Sequence, residues 1–191
     1  MFLSSPRAGL PARETKRAPL ALATVDASGV FEGYASLFGV VDLGRDIVMP
    51  GAFRETLARR GAAGVKMLWQ HRAAEPIGTW LELEEDSRGL RVTGRLNLAV
   101  AKAREVLALM REGAVDGLSI GFRAQRSQRD ASGLRRLKTI DLWEISLVTF
   151  PMLPQARVTA LKRMERASPA VLRQRWLAAA QALSRCASRA R

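Results

Sequence analysis

The sequence predicts an α+β domain, mostly β-sheet with a few helices, between basic segments at the two ends of the chain. Over residues 90–98, apolar side chains alternate with polar ones, which is the period of a half-buried antiparallel strand. Residues 140–150 are apolar on both faces, as in a strand that is covered on both sides. The chain has 191 residues, of which 48% are hydrophobic, so one domain with a substantial core is expected.

The first half of the domain is predicted to consist of strands and one short helix. The helix covers residues 52–60, where Phe53 and Leu57 lie one helical turn apart on the same face. A loop at 41–46 separates this helix from the first strand. The predicted strands cover residues 30–38, 65–70, 77–83 and 90–98.

The second half begins with an amphipathic helix at 100–110, which Gly113 is expected to end. The residues on its apolar face are Ala103, Val106, Leu107 and Met110. Two further strands are predicted at 118–124 and 134–150, and a polar turn at 128–133 joins them.

The two ends of the chain differ in composition from the middle. Residues 1–27, rich in Pro, Ala, Arg and Ser without periodicity, are expected to form a flexible basic arm, and residues 28–162 the folded domain. Residues 163–191 are expected to form a basic helical tail. Within it, Pro169 suits the first turn of a helix, and residues around Trp176 form an apolar stripe. The stripe is expected either to pack on the domain or to bind a partner.

The net charge of the chain is +13, from 31 Lys and Arg against 18 Asp and Glu, and the excess is concentrated at the two ends. Such a balance favours an acidic partner, either nucleic acid or an acidic protein surface. The alternative is that the arginine-rich composition only keeps the protein soluble. No recognisable nucleic-acid-binding motif accompanies the charge, so nucleic acid is not expected as a specific partner.

The scarcity of cysteine and histidine argues against several kinds of protein. Cys186 is the single cysteine, which excludes a disulfide framework within the chain and fits a reducing compartment. No cluster of Cys and His has the spacing of zinc ligands, and no cofactor is predicted. The first residues lack the apolar run of a signal peptide, and no run of about 18 apolar residues occurs, so no membrane span is expected.

Ser119 and His71 are the candidate nucleophile and base. If residues 117–122 are extended, Ser119 lies on one face between Gly117 and Gly121, where a ligand can approach closely. His71 is the single histidine and closes an apolar strand beside a loop, so any imidazole base must be this residue. The ordinary alternatives are a packed small-residue face for Ser119 and a surface or structural role for His71.

Glu144 is the candidate third member of the site. In the predicted strand it shares a face with Leu142 and Ser146, and it is expected to be largely buried. A buried carboxylate needs a partner, which an arginine, a backbone donor or His71 can supply. Paired with His71, it would fix the imidazole tautomer while His71 takes the proton of Ser119. Ser146 is a competing serine but is expected to be less accessible.

An ordered series of short motifs covers residues 30–161. The motifs are Phe31-Glu32-Gly33-Tyr34-Ala35, Asp46-Ile47-Val48-Met49-Pro50-Gly51-Ala52-Phe53, Met67-Leu68-Trp69-Gln70-His71, Pro76-Ile77-Gly78, Gly117-Leu118-Ser119-Ile120-Gly121-Phe122 and Leu142-Trp143-Glu144-Ile145-Ser146-Leu147-Val148. Each is weak alone, but their order and spacing together are specific. In these motifs the chain resembles the prohead (capsid maturation) proteases of HK97-like tailed phages.

The resemblance implies a serine endopeptidase with a fold similar to that of the herpesvirus assemblin proteases. That fold is a mostly antiparallel β-barrel surrounded by helices. The resemblance also implies that His71 and Ser119 are catalytic. Assemblins have a second histidine as the third catalytic residue, whereas this chain has one histidine, which leaves Glu144 as the expected substitute.

The same resemblance implies a setting for the enzyme. Its substrates would be the scaffolding segment of the major capsid protein, or a separate scaffold protein, and the protease itself. It would act inside the immature prohead, in the cytoplasm of the bacterial host, and self-association into dimers or larger assemblies is compatible with it. The alternative is a non-enzymatic capsid assembly or scaffold protein on the same fold. Phage, prophage and gene transfer agent origins all stay open.

Overall fold

The computed structural model describes residues 28–161 as an eight-stranded sheet with two helices. The elements are β1 (Val30–Leu37), β2 (Asp46–Val48), α1 (Arg54–Arg60), β3 (Lys66–Trp69), β4 (Arg72–Glu85), β5 (Gly89–Leu96), α2 (Ala101–Arg111), β6 (Gly117–Arg129), β7 (Arg135–Val148) and β8 (Val158–Leu161). The arm expected at 1–27 and the tail expected at 163–191, with its helix at Pro169, lie outside the described residues. Neither helix within 28–161 is long and apolar enough to cross a membrane.

The sheet is mixed and curls back on itself. Neighbouring strands follow the order β2-β7-β3-β4-β5-β1-β8, and β6 pairs with β7. A bridge between Gly117 and Arg157 joins the start of β6 to the residue before β8. The expected β-rich α+β fold is confirmed. The sheet is mixed instead of mostly antiparallel, because α1 crosses over between β2 and β3 and both strands run parallel to β7.

Three elements lie in succession along the edge of β7 that faces away from β6: β2, then α1, then β3. β2 pairs with residues 135–137 of β7 and β3 with residues 144–147, and α1 fills the gap between them. Thr56 of α1 donates its hydroxyl to the carbonyl of Ile140 at 2.6 Å and accepts the N–H of Leu142 at 3.2 Å. Because these bonds satisfy buried backbone groups that neither strand reaches, α1 fixes β7 just before the segment that pairs with β3.

The core lies between the curled strands and is tightly packed. Phe31 of β1 and Trp80 of β4 meet edge to face, with ring centroids 5.7 Å apart. A Cβ at Gly94 of β5 would lie 2.8 Å from each of these rings and 2.6 Å from Met67. The packing of these three side chains therefore depends on the absence of a side chain at position 94.

The helix predicted at 100–110 is confirmed by α2. The four residues of its predicted apolar face are all buried: Ala103, Val106, Leu107 and Met110. Gly113 follows the helix with a φ of 70°, in the left-handed region that favours glycine. The 3.6-residue period was therefore sufficient to place this element.

Two strands, β4 and β6, extend further than the sequence indicated, and two short strands, β2 and β8, were not predicted. β4 begins five residues before the predicted 77–83 segment, at Arg72, and β6 continues to Arg129 instead of ending at 124. Both extensions consist largely of exposed residues, so apolar alternation does not mark them. β2 has three residues, too few to show a period, and its pairing with β7 forms it.

Candidate active site

β7 lies between the strands that position the other candidate residues. On one side, β6 pairs Ser119 with Ser146 and Gly121 with Glu144. On the other side, β3 runs parallel to β7, and His71 lies in the turn that follows β3. Residues directly opposite each other in antiparallel strands share a face, so the four residues of these two pairs lie on one face of the sheet.

A β-bulge at Trp143 decides which face Glu144 occupies. Two consecutive residues of β6 pair with Leu142 and Glu144, which leaves Trp143 as the extra residue of β7. Leu142 and Ile145 are both 0% exposed in the core, so Glu144 lies on the opposite face from Leu142. The expectation that these two residues share a face was wrong, because strict alternation does not allow for an extra residue. Trp143 is 51% exposed, so β7 is not covered on both sides here.

The Glu144 carboxylate takes part in two short hydrogen bonds. Its Oε1 lies 2.6 Å from Nδ1 of His71, and its Oε2 accepts the hydroxyl of Ser146 at 2.6 Å. Oγ of Ser146 in turn accepts the backbone N–H of His71 at 3.0 Å. The Glu144 side chain is 13% exposed, as expected for a largely buried carboxylate, and His71 is the partner found for it. Side chains of β7 therefore fix both the imidazole and the backbone of His71.

A two-residue turn holds His71 at the end of β3. Trp69 pairs with Arg72, so Gln70 and His71 form the tip of a tight hairpin, with φ angles of 50° and 59°. Two left-handed central residues are the pattern of a type I′ turn, which normally contains Asn or Gly. Other residues adopt this conformation at a cost of about 1–2 kcal/mol each, and such costs are concentrated at functional sites. The hydrogen bond from Gln70 Nε2 to Thr149 Oγ1, 2.9 Å long, helps to hold the turn.

The environment of His71 makes it a stronger base than an isolated imidazole. The hydrogen bond with Glu144 raises the pKa of His71 above its usual 6.5, partial burial opposes this, and the charge of Glu144 adds to the increase. Because Nδ1 contacts the carboxylate, Nε2 is the ring nitrogen that can accept a proton from a hydroxyl. The pair therefore has the arrangement of a general base with an orienting carboxylate.

Gly121 provides the space that the Glu144 carboxylate occupies. A Cβ at position 121 would lie 2.1 Å from Oε1 of Glu144, far closer than real contacts. We expect Gly121→Ala to displace the carboxylate from His71 and so to lower the pKa of His71 toward 6.5 or below. An NMR titration of an untagged chain reports this directly, since the chain has one histidine. An unchanged His71 pKa in a folded variant would contradict this account of Gly121.

Ser119 lies on the strand beside this pair, and within residues 28–161 its hydroxyl is not hydrogen-bonded to either member. Its strand is one spacing, about 4.8 Å, from the row of β7 that holds Glu144 and Ser146. The residue is 5% exposed, less than the open access predicted, and it lines a cavity. Within residues 28–161 no hydrogen bond joins its hydroxyl to another residue, so the structure brings His71 to Glu144 and not to Ser119. Catalytic hydrogen bonds often close only when substrate is bound.

Ser146 supports the site and is poorly placed to act as a nucleophile. It is 0% exposed, and its hydroxyl bonds both Glu144 and the amide of His71. The lower accessibility expected for it is confirmed. The supporting role was not predicted, although the spacing Glu144-x-Ser146 on a strand places the two side chains on the same face.

Comparison with known proteins supplies the family context of this geometry. A sequence profile of the caudovirus prohead serine proteases matches residues 18–169. The chain is similar to the prohead protease of Enterobacteria phage HK97, with 39% identity over 140 residues that cover 72% of this chain and 62% of that protein. It is also similar to the capsid polyprotein of Pseudomonas phage PAJU2, with 30% identity over 134 residues that cover 64% of this chain and 20% of that protein. The chain thus spans less than two thirds of both relatives.

A solved structure shares the fold of the domain. The KSHV protease, crystallised with a hexapeptide phosphonate inhibitor, superposes with a TM-score of 0.50 at 12% identity, covering 80% of this chain and 76% of that one. At this identity the similarity concerns the fold alone. It agrees with the expectation of a fold similar to that of the herpesvirus proteases.

Proposed function

The chain belongs to the caudovirus prohead serine protease family, and from this premise we propose that it is a serine endopeptidase with Ser119 as nucleophile, His71 as general base and Glu144 as orienting carboxylate. The observation that carries the proposal is the 2.6 Å contact between His71 Nδ1 and Glu144 Oε1. Glu144 lies on β7, the strand that pairs with the strand of Ser119. A lone surface histidine would not need a carboxylate that is itself held by the buried hydroxyl of Ser146.

The proposed reaction follows acyl transfer through Ser119. Its Oγ forms a bond to the carbonyl carbon of the scissile peptide while Nε2 of His71 takes the hydroxyl proton. His71 then gives that proton to the leaving amine as the C–N bond breaks. A water molecule, deprotonated by His71, hydrolyses the acyl-enzyme and restores Ser119. Glu144 stabilises the imidazolium in both halves of the reaction and keeps its own charge throughout.

The proposed substrates are capsid assembly proteins. They comprise the scaffolding segment of the major capsid protein, or a separate scaffold, and the protease itself. A relative named capsid polyprotein contains a segment similar to this chain within 20% of its length, which supports production of the protease together with capsid protein. We place the enzyme inside the immature prohead in the bacterial host, where self-association would accompany its confinement.

An active-site label tests the proposed nucleophile. A diphenyl phosphonate peptide reacts with activated serines, and mass spectrometry of the digested protein locates the phosphonylated residue. We expect the label on Ser119 and no label in Ser119→Ala or His71→Ala. A label on Ser146, or equal labelling after His71→Ala, would reject the proposed assignment.

The basic C-terminal segment is proposed to assist packaging of the enzyme. Residues 163–191 are rich in arginine and would bind acidic scaffold surfaces. Deletion of residues 165–191 is expected to lower the number of protease copies per prohead, counted by quantitative mass spectrometry, while cleavage in solution persists. A neutral linker of the same length is the matched control, and unchanged incorporation would contradict the proposal.

A further inference from the structure

A cavity of about 220 Å³ opens beside Ser119, between β6 and the end of β1. Its walls are largely apolar, formed by side chains that include Leu37, Val40, Ile120 and Met152. The proposed catalytic residues His71 and Glu144 do not line it. The cavity therefore lies next to the proposed nucleophile but has no role in the proposed proton transfers.

Three charged side chains also line the cavity, and two of them neutralise each other. Arg135 donates to Asp46 through Nε at 2.7 Å and through Nη2 at 2.5 Å. The third is Asp42, whose Oδ1 accepts the backbone N–H of Asp46 at 2.8 Å. Among residues 28–161 no Lys or Arg lies within ion-pair distance of Asp42. Burial raises the pKa of Asp42 and the charge of Asp46 adds to the increase, while backbone hydrogen bonds from Asp46 and Gly44 and the charge of Arg135 oppose it.

The edge of β6 beside the cavity is open over most of its length. The N–H of Leu118 donates to the carbonyl of Ala156 at 3.0 Å, and beyond this point β6 pairs only with β7 within the described residues. An extended peptide laid along such an edge directs alternate side chains to the two faces of the sheet. One set of side chains would then point toward the cavity while the backbone passes Ser119.

We propose that this cavity is a substrate subsite for one basic side chain, Lys or Arg, whose cationic end pairs with Asp42. The inference rests on the proposed function and names the substrate feature that the site selects. The apolar walls suit the aliphatic stem of a basic residue, and the carboxylate suits its end. An apolar side chain would bury the Asp42 charge without a partner, and an acidic one would be repelled by it.

Binding to an inactive chain tests the subsite without requiring catalysis. Ser119→Ala is titrated with two fluorescein-labelled peptide pools whose fixed central residue is lysine or norleucine, with degenerate flanks, and affinity is read by anisotropy. We expect the lysine pool to bind about 10- to 100-fold more tightly, as a charged hydrogen bond in a desolvated site provides. Adding Asp42→Asn should remove this preference, because asparagine keeps the acceptor for the Asp46 N–H and loses the charge.

The control and the cleavage readout separate this inference from the proposed function. Glu112→Gln removes one negative charge at an exposed position away from the cavity and should leave the lysine preference unchanged. Equal binding of the two pools, or a preference that survives Asp42→Asn, overturns the subsite whether or not the enzyme cleaves. Sites cut in a peptide library by the Ser119 chain, mapped by mass spectrometry, should carry Lys or Arg at one fixed position. If the chain cleaves no peptide but still prefers the lysine pool, the proposed protease function is rejected and the proposed subsite for a basic side chain stands.

Discussion

Ser119→Ala is expected to lower kcat/KM for peptide cleavage by at least about 10⁴-fold, because removing a serine nucleophile leaves only binding and oxyanion stabilisation. The substitution deletes one hydroxyl that has no hydrogen-bond partner in the described part of the chain, so the melting temperature should change little. Co-expressed with its capsid protein, the variant should be incorporated and should leave the capsid protein full-length. Gel analysis of purified proheads measures both outcomes.

Two serine variants serve as controls for this result. Ser127→Ala removes an exposed hydroxyl from the same strand and should cleave normally. Ser146→Ala should retain cleavage at a reduced rate but lose about 1–3 kcal/mol of stability, because the amide of His71 loses its acceptor. If Ser119→Ala processed the capsid protein normally, the nucleophile would be another residue, or the chain would be a non-enzymatic assembly protein.

The elements of the fold could be predicted wherever a period was long enough. The apolar face of α2 is buried as predicted, and burial alternates from Leu90 to Leu96 of β5 except at Thr93, which is 7% exposed. The phase of β7 could not be predicted, because the bulge at Trp143 arises from the pairing of two strands and from the contacts of Thr56 with β7. Local sequence contains no record of such a tertiary contact, and one extra residue reverses the faces of every residue beyond it.

The members of the site were easier to predict than its geometry. His71 is the single histidine, and a buried glutamate requires a partner, so their pairing followed from chemistry. The left-handed turn at Gln70 and His71 has none of the usual Asn or Gly residues. Its hydrogen bonds to Ser146 of β7 and to Thr149, the residue that follows β7, stabilise it. The sequence also could not predict that the Glu144 carboxylate occupies the space above Gly121. A glycine in a strand indicates that another group approaches closely, but it does not identify that group.

Glu144→Gln is expected to lower kcat/KM by about 10²- to 10⁴-fold at neutral pH, by analogy with the loss of the orienting carboxylate in a serine protease triad. Two donors point at Glu144, from the His71 ring and the Ser146 hydroxyl. The two donors face different carboxylate oxygens, so the single carbonyl oxygen of a glutamine can replace the acceptor of one of them only. Either the ring of His71 takes the wrong tautomer, or Ser146 loses its acceptor. Glu55→Gln on the exposed face of α1 is the matched control.

The pH dependence distinguishes an orienting carboxylate from a merely structural one. Glu144 raises the pKa of His71 above 6.5, so His71 must lose its proton at a higher pH in the wild type than in Glu144→Gln. The rising limb of kcat/KM should therefore shift to lower pH in the variant. The ratio of the wild-type to the variant kcat/KM should decrease as pH falls. The stability that Glu144 gives to protonated His71 is fully present below pH 6.5 and is lost as pH rises through the folded-state pKa. The NMR titration of His71 must shift in the same direction as the rate profile. Parallel profiles with an unshifted pKa would mean that Glu144 only supports the fold, and that His71 acts without it.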